Sequence, residues 1–232
     1  MLKLENISKS FLYHFKRTKV LHDINMEINR GDFSVILGKS GSGKTTLLNI
    51  IAGMLKPSSG KMYFENKRLS NFDFFKSRFR RKNIGFVFQN FNLIDYLSVL
   101  DNIILPFKFT SHSPVNHKKY GINILKKVGL EGKEHFFPAM LSGGQLQRCA
   151  IARALINKPK LIIADEPTGN LDADTAGEIN NIFIDLNKND NITFLVVTHD
   201  KNIVTHANKA YELKKGVLKN YNSNDLLSME SV

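Results

Sequence analysis

Phe33-Ser34-Val35-Ile36-Leu37-Gly38-Lys39-Ser40-Gly41-Ser42-Gly43-Lys44-Thr45, continuing through Thr46-Leu47-Leu48-Asn49-Ile50-Ile51-Ala52-Gly53, decides the fold. Phe33 to Leu37 is a short apolar run, the length and composition of a strand buried on both faces. Thr45 to Gly53 is apolar nearly all round and reads as a buried helix. Between them, Gly38 to Thr45 fits G-x-x-x-x-G-K-[ST] in the strand–turn–helix context that gives this pattern its meaning. Glycines let successive backbone N–H groups turn inward as an anion nest, and the helix start adds its partial positive charge. Gly38, Lys39, Ser40, Gly41, Ser42, Gly43, Lys44, Thr45 and Thr46 are therefore the candidate nucleotide-binding residues. Lys44 brings a point charge to the outer phosphates, and Thr45 offers a hydroxyl to Mg²⁺.

Working outward, Ile24, Met26 and Ile28 alternate with polar residues as a half-buried strand does, and Gly31-Asp32 ends it. Asn83 to Phe88 is a further strand candidate. Residues from about 92 to 157 read as mostly helical, with Ile122, Leu125 and Val128 on one face and a polar loop at Thr110 to Pro114. Strand–helix alternation returns at Leu161-Ile162-Ile163-Ala164. A helix with Ile179, Ile182, Phe183 and Leu186 on one face follows, then a strand from Ile192 to Val197. Such alternation implies an α/β fold with a mainly parallel sheet covered on both faces and a helical segment inserted in it. The expected division is a core of about 1–91 and 158–232 and a helical subdomain of about 92–157.

The strand Leu161 to Ala164 ends in Asp165-Glu166. Ligands of open α/β sheets bind at such C-terminal strand edges, where Asp165 could hold Mg²⁺ through water. Glu166 is placed to orient or deprotonate an attacking water. Standing alone, two acids before Pro167 would simply start a surface turn; the glycine loop upstream gives them a phosphate to act on.

Bulk properties limit the alternatives. The chain has 232 residues, of which 42% are hydrophobic and 23% charged, as in an ordinary globular domain rather than a disordered chain. One cysteine, Cys149, excludes an internal disulfide framework and is expected to be a small core residue. No run reaches the ~18 apolar residues of a membrane span, and Met1 to Asn6 lacks the order of a signal peptide, so a cytoplasmic chain is expected. The net charge of +12 could mark a nucleic-acid or membrane surface, but the lysines are spread along the whole chain, as on a solvated surface.

Leu141-Ser142-Gly143-Gly144-Gln145, followed by Leu146-Gln147-Arg148, narrows the class. A serine and two glycines at a helix start again turn N–H groups toward an anion. Ser142 could merely N-cap the helix, but a cap needs no Gly-Gly. Two phosphate-binding helix starts in one chain suggest a nucleotide gripped by two subunits.

At these residues the sequence resembles the ATP-binding subunit of ABC transporters, from about Leu4 to Leu218. The resemblance implies a P-loop NTPase (RecA-like) core, an N-terminal antiparallel β subdomain and a helical subdomain carrying the signature motif Leu141 to Gln145. It implies that Gln89 contacts Mg²⁺ and the attacking water, that Gly169-Asn170-Leu171-Asp172 lines a subunit interface, and that His199 reaches the γ-phosphate. Phe11 aligns with the aromatic that stacks on adenine. That position is often Tyr, and since Leu12 to Lys19 is aromatic and basic, Tyr13 is the alternative.

The family's mode of action implies a homodimer closing on two ATP with Mg²⁺, driving transmembrane permease subunits from the cytoplasmic side of the cell membrane. The permease would meet residues after Gln89, roughly 90 to 107. Chromosome-maintenance and translation ATPases share the signature. Gln89 and Leu141 are too close to hold a coiled coil between them, and there is one cassette rather than two, so nucleic acid is not the expected partner. Within transporters, Ala164 to Asp172 is similar to the macrolide-export, lipoprotein-release and antimicrobial-peptide-resistance subfamily. From the short stretch after Gly216, a regulatory domain of the sugar-importer kind is not expected.

Overall fold

The computed structural model describes residues 1–14, 16–69, 73–109 and 116–221, with the side chains of Tyr13 and of residues 73–76 not described. The polar loop expected at Thr110 to Pro114 lies outside these residues. In chain order, β1 (Leu2–Tyr13) and β2 (Lys16–Ile28) form an antiparallel pair, followed by β3 (Phe33–Leu37) and α1 (Lys44–Ile51). β4 (Ser59–Phe64), β5 (Lys67–Arg68), α2 (Asp73–Asn83) and β6 (Ile84–Val87) come next. A helical stretch holds α3 (Val99–Ile104), α4 (His117–Lys127) and α5 (Gly143–Leu155), with short 3₁₀ turns at Leu105–Phe109 and Pro138–Met140. The chain then returns to β7 (Leu161–Asp165), α6 (Ala173–Asp190), β8 (Thr193–Thr198), β9 (Lys209–Lys214) and β10 (Val217–Asn220).

Among the described residues there are two sheets. One is antiparallel, in the order β2-β1-β4-β5; the other runs β10-β9-β3-β8-β7-β6 and is parallel except for β10. The fold is therefore α/β, as the alternation of strands and helices implied. Central strands are apolar throughout because both of their faces are covered. Phe33, Val35, Ile162, Ala164, Phe194 and Val196 pack toward α3, α5 and α6, while Ile36, Leu161, Ile163, Leu195 and Val197 pack toward α1 and the antiparallel sheet. Alternate side chains of one strand thus serve two cores. Cys149 is fully buried in the first of them, and burial pushes its thiol up to about 12.

α1 is shorter than the apolar run suggested. It starts at Lys44 because Gly43, with φ 105°, cannot continue a right-handed helix, and Gly53 (φ 67°) follows its end. No helix among the described residues is long and apolar enough to cross a membrane.

Candidate nucleotide-binding site

Parallel register brings the site together. Leu37 lies level with Thr198 across β3 and β8, and Asp165 lies level with Val197 across β7 and β8. The residues that follow these strand ends, namely Gly38, Glu166 and His199, consequently leave the sheet at the same edge.

The loop from Gly38 to Gly43 is tightly wound. A Cβ on Gly38 would fall 2.7 Å from the Leu213 carbonyl oxygen and 2.7 Å from Ser42 Oγ, so only glycine fits there. Gly41 adopts φ 76°, and Ser42 N–H donates to the Lys39 carbonyl at 3.2 Å. The turn after β9 steadies the loop from below, through Gly216 N–H donating to the Ser42 carbonyl at 3.1 Å. Lys39 and Ser40 are exposed, and Thr46 is half-buried on the first turn of α1. Among the described residues no side-chain oxygen caps the opening N–H groups of α1.

Lys44 is buried. Its Nζ donates to the carbonyls of Gly38 (2.7 Å) and Lys39 (3.2 Å) and forms an ion pair with Glu166 Oε1 at 3.3 Å. The other carboxylate oxygen, Glu166 Oε2, accepts the backbone N–H of His199 at 3.2 Å and lies 2.8 Å from His199 Nδ1. Glu166 itself has φ 46°, a strained region for a residue with a side chain, and its N–H is tied to the Val197 carbonyl at 2.8 Å. Asn180 Nδ2 donates to Asp200 Oδ2 at 3.2 Å and thereby steadies the loop that carries His199, whose side chain is 71% exposed.

Thr45 Oγ1 donates to Asp165 Oδ2 at 3.2 Å. Burial holds the Asp165 carboxyl above the ordinary range, and the Glu166 charge adds to this, while the Thr45 hydroxyl and Lys44 act the other way. A hydroxyl and a carboxylate side by side offer the hard oxygen donors that suit Mg²⁺, which takes one or two carboxylates and completes its shell with phosphate and water. Among the described residues no cluster of three acid, histidine or cysteine side chains could hold a metal. The Thr45–Asp165 pair therefore fits Mg²⁺ arriving with a phosphate ligand better than a cation held by protein alone.

Gln89 follows β6 and does not bond to Thr45 or Asp165 among the described residues. Its Nε2 donates to Asn170 Oδ1 at 3.2 Å, and Asn170 Nδ2 donates back to the Gln89 carbonyl (3.3 Å) and to Asn90 Oδ1 (3.1 Å). Asn170 was quoted above only as part of a motif, and nothing in its own sequence context signals this contact.

At Leu141 to Gln145 the structure adds a second reason for the glycines. Ser142 does cap α5 in a reciprocal capping box, Ser142 Oγ accepting Gln145 N–H and Gln145 Oε1 accepting Ser142 N–H. Gly144, however, lies where a Cβ would come 2.5 Å from Thr175 Cγ2, and a Cβ on Gly143 would lie 3.2 Å from Leu171 Cδ2. Leu141 packs against the core. No hydrogen bond among the described residues joins this segment to residues 38–46. Asp172, exposed, caps α6 by accepting both the N–H and the hydroxyl of Thr175 (2.9 and 2.7 Å), and the first of these holds its carboxyl below the ordinary range.

Phe11 stands on β1 opposite Thr18, 41% exposed, with the Lys9 ammonium 5.0 Å above its ring. Lys9 was not singled out from the sequence. The alternative Tyr13 falls among the side chains not described. A cavity lined by Met1, Tyr120, Ile124, Lys158 and Ile192 opens at the other edge of the parallel sheet and shares no residue with this site.

A glycine loop with a lysine folded over it, two acids at a neighbouring strand end and a capped Gly-Gly helix start define a nucleotide-hydrolysing cassette. Comparison with known proteins agrees. Residues 21–169 match the family model described as ABC transporter. The lipoprotein-releasing system ATP-binding protein LolD of Buchnera aphidicola subsp. Acyrthosiphon pisum is 38% identical over 224 residues, 96% of this chain and 98% of that protein. The putative hemin import ATP-binding protein HrtA of Staphylococcus epidermidis is 41% identical over 219 residues, 94% and 99% of the two chains. Among solved structures, the dimeric ABC transporter cassette MJ0796 is 40% identical with a TM-score of 0.86, over 94% of this chain and 97% of that one. The same cassette has been solved in a post-hydrolysis state bound to ADP and Pi, at 39% identity and a TM-score of 0.87. This chain belongs to the ABC transporter family, as an ATP-binding subunit with ATPase activity.

Proposed function

We propose that two copies of this chain close on two ATP molecules and drive permease subunits in a membrane. The reading rests on one observation: Lys44, Glu166 and His199 meet through contacts of 2.8 to 3.3 Å beside the Thr45–Asp165 pair. In this reading residues 38–46 wrap the phosphates with backbone N–H groups, and Lys44 exchanges Glu166 for phosphate oxygens. Thr45 and Asp165, together with Gln89, would hold Mg²⁺, which would supply positive charge to the phosphate oxygens. Glu166 accepts a proton from the water that attacks the γ-phosphorus as the bond to ADP breaks. His199, placed on the same carboxylate, keeps Glu166 oriented and meets the γ-phosphate. Phe11 stacks on adenine.

The second copy contributes Leu141, Ser142, Gly143, Gly144 and Gln145 to the opposite phosphate, with Asp172 at the interface. A segment of about 92–157 then works as a subdomain that carries this signature. The permease meets residues 90–107, where Tyr96 stands 81% exposed, and the assembly sits on the cytoplasmic side of the membrane. Similarity to a lipoprotein-release subunit, and the Gly169-Asn170 pair, favour an exporter or a lipoprotein- or peptide-handling system.

Ser142→Arg tests the shared site. It leaves residues 38–46 intact but puts a bulky cation where the partner's phosphate docks, so the variant should bind ATP and fail to hydrolyse it. Full ATPase activity in that variant would rule the reading out. Detergent extraction with the tagged chain should recover a membrane protein; recovery of DNA or ribosomes that survives high salt would point to a nucleic-acid ATPase instead.

A further inference from the structure

The reciprocal amide contact between Gln89 and Asn170 has a direction built into it. A main-chain carbonyl can only accept a hydrogen bond, so the Gln89 carbonyl, 3.3 Å from the Asn170 side chain, must face its NH₂ end. Asn90 Oδ1, 3.1 Å from that same nitrogen, agrees with this orientation. With its NH₂ committed, Asn170 can offer Gln89 only its oxygen. Gln89 must then answer with Nε2, as it does at 3.2 Å. Of the two ways the Gln89 amide could face, Asn170 selects the one that takes up the nitrogen and leaves Oε1 without a hydrogen-bond partner among the described residues. Gly169 completes the arrangement: a Cβ there would lie 3.1 Å from Gln89 Nε2, and its own N–H is tied to the Glu166 carbonyl at 3.1 Å.

We propose that Asn170 is a positioning residue that sets the orientation of the Gln89 amide, presenting Oε1 rather than Nε2 to the nucleotide site. The chemistry needs that choice. Magnesium and the proton of an attacking water both require an oxygen acceptor, and an NH₂ group turned toward either would repel it. Residues 81 apart in sequence are coupled in this way, so a shift of the loop after β7 carries the Gln89 amide with it. The inference rests on the reading of Gln89 as a residue that faces the nucleotide.

The test uses the ¹⁵N-labelled full chain, with the Gln89 side-chain NH₂ signals assigned by their loss in Gln89→Ala. Asn170→Ala should move those signals to the position of a free glutamine. It should lower kcat by roughly 3- to 10-fold, the scale of one neutral hydrogen bond, with ATP affinity measured in EDTA unchanged. In a Gln89→Ala background, Asn170→Ala should have no further effect on turnover. NH₂ signals that stay in place in Asn170→Ala would overturn the positioning role. So would an undiminished loss of turnover in the Gln89→Ala background, which would mean that Asn170 acts elsewhere. Wild-type turnover in Gln89→Ala would instead defeat the reading of Gln89 itself and leave Asn170 nothing to position; the NH₂ signals separate that failure from a failure of the contact.

Discussion

Replacing Glu166 by Gln keeps the size of the side chain and removes both its charge and its basicity. Two consequences can be worked from the geometry. Glu166 Oε2 accepts from two directions, the His199 backbone N–H and the imidazole, while Oε1 faces the Lys44 ammonium at 3.3 Å. A glutamine has one acceptor end. If its oxygen faces Lys44, its NH₂ opposes the His199 N–H; if it is flipped, the NH₂ opposes Lys44. Either way one donor–donor contact arises, so a small loss of stability, about 1 kcal/mol, is expected in urea unfolding. Lys44 meanwhile keeps its two carbonyl partners and loses its anion, which should tighten ATP binding. Turnover should fall by roughly 10²–10⁴-fold, the usual loss when a general base is removed. Phosphate release, nucleotide titration and sizing chromatography with Mg-ATP and with ADP measure all of this. The variant should bind at least as tightly as wild type, hydrolyse very slowly and elute as a dimer only with ATP. Wild-type turnover would refute the assignment and pass the role to His199.

Three further outcomes are expected. Gly144→Ala forces a Cβ against Thr175 Cγ2, which cannot turn away without giving up its hydroxyl bond to Asp172; the variant should lose about 1–3 kcal/mol in urea unfolding, and adding Thr175→Ser, which removes only the methyl, should restore most of it. Cys149, buried and with its thiol pushed up to about 12, should resist iodoacetamide at pH 8 in the folded chain and react at once in urea; rapid native labelling would contradict its place in the core. Asp165 has a folded pKa raised above its ordinary 3.8, chiefly by burial, so it costs stability as pH rises from the ordinary carboxylate range through the raised value. Asp165→Asn should therefore melt higher than wild type at pH 7, converge with it in acid, and lose ATPase activity; an equal or lower melting point at pH 7 would refute the burial argument.

Much of the fold could be read from short stretches because its physical causes are local. A parallel strand buried on both faces must be apolar throughout, and Phe33 to Leu37 and Leu161 to Ala164 show it without reference to the rest of the chain. The length of the β1–β2 hairpin was not legible in the same way. Lys16 to Lys19 are exposed, so nothing buries one face and no alternation is imposed on them. Ser142 shows where local reading falls short: the cap was visible, but the need for Gly144 comes from Thr175 on α6, which only folding brings near.

Gly38 to Thr45 determined by itself that a nest of N–H groups, a lysine and a hydroxyl would stand together, since neighbours in a chain stay neighbours in space. Which carboxylate would face that hydroxyl was decided by the strand order β9-β3-β8-β7, which carries Asp165 to within 3.2 Å of a residue 120 positions away. The Lys44–Glu166–His199 chain and the Asn170–Gln89 pair were decided in the same way. Hydrogen bonds and ion pairs act over about 3 to 4 Å, whereas sequence spacing says nothing at that scale about residues joined through a sheet.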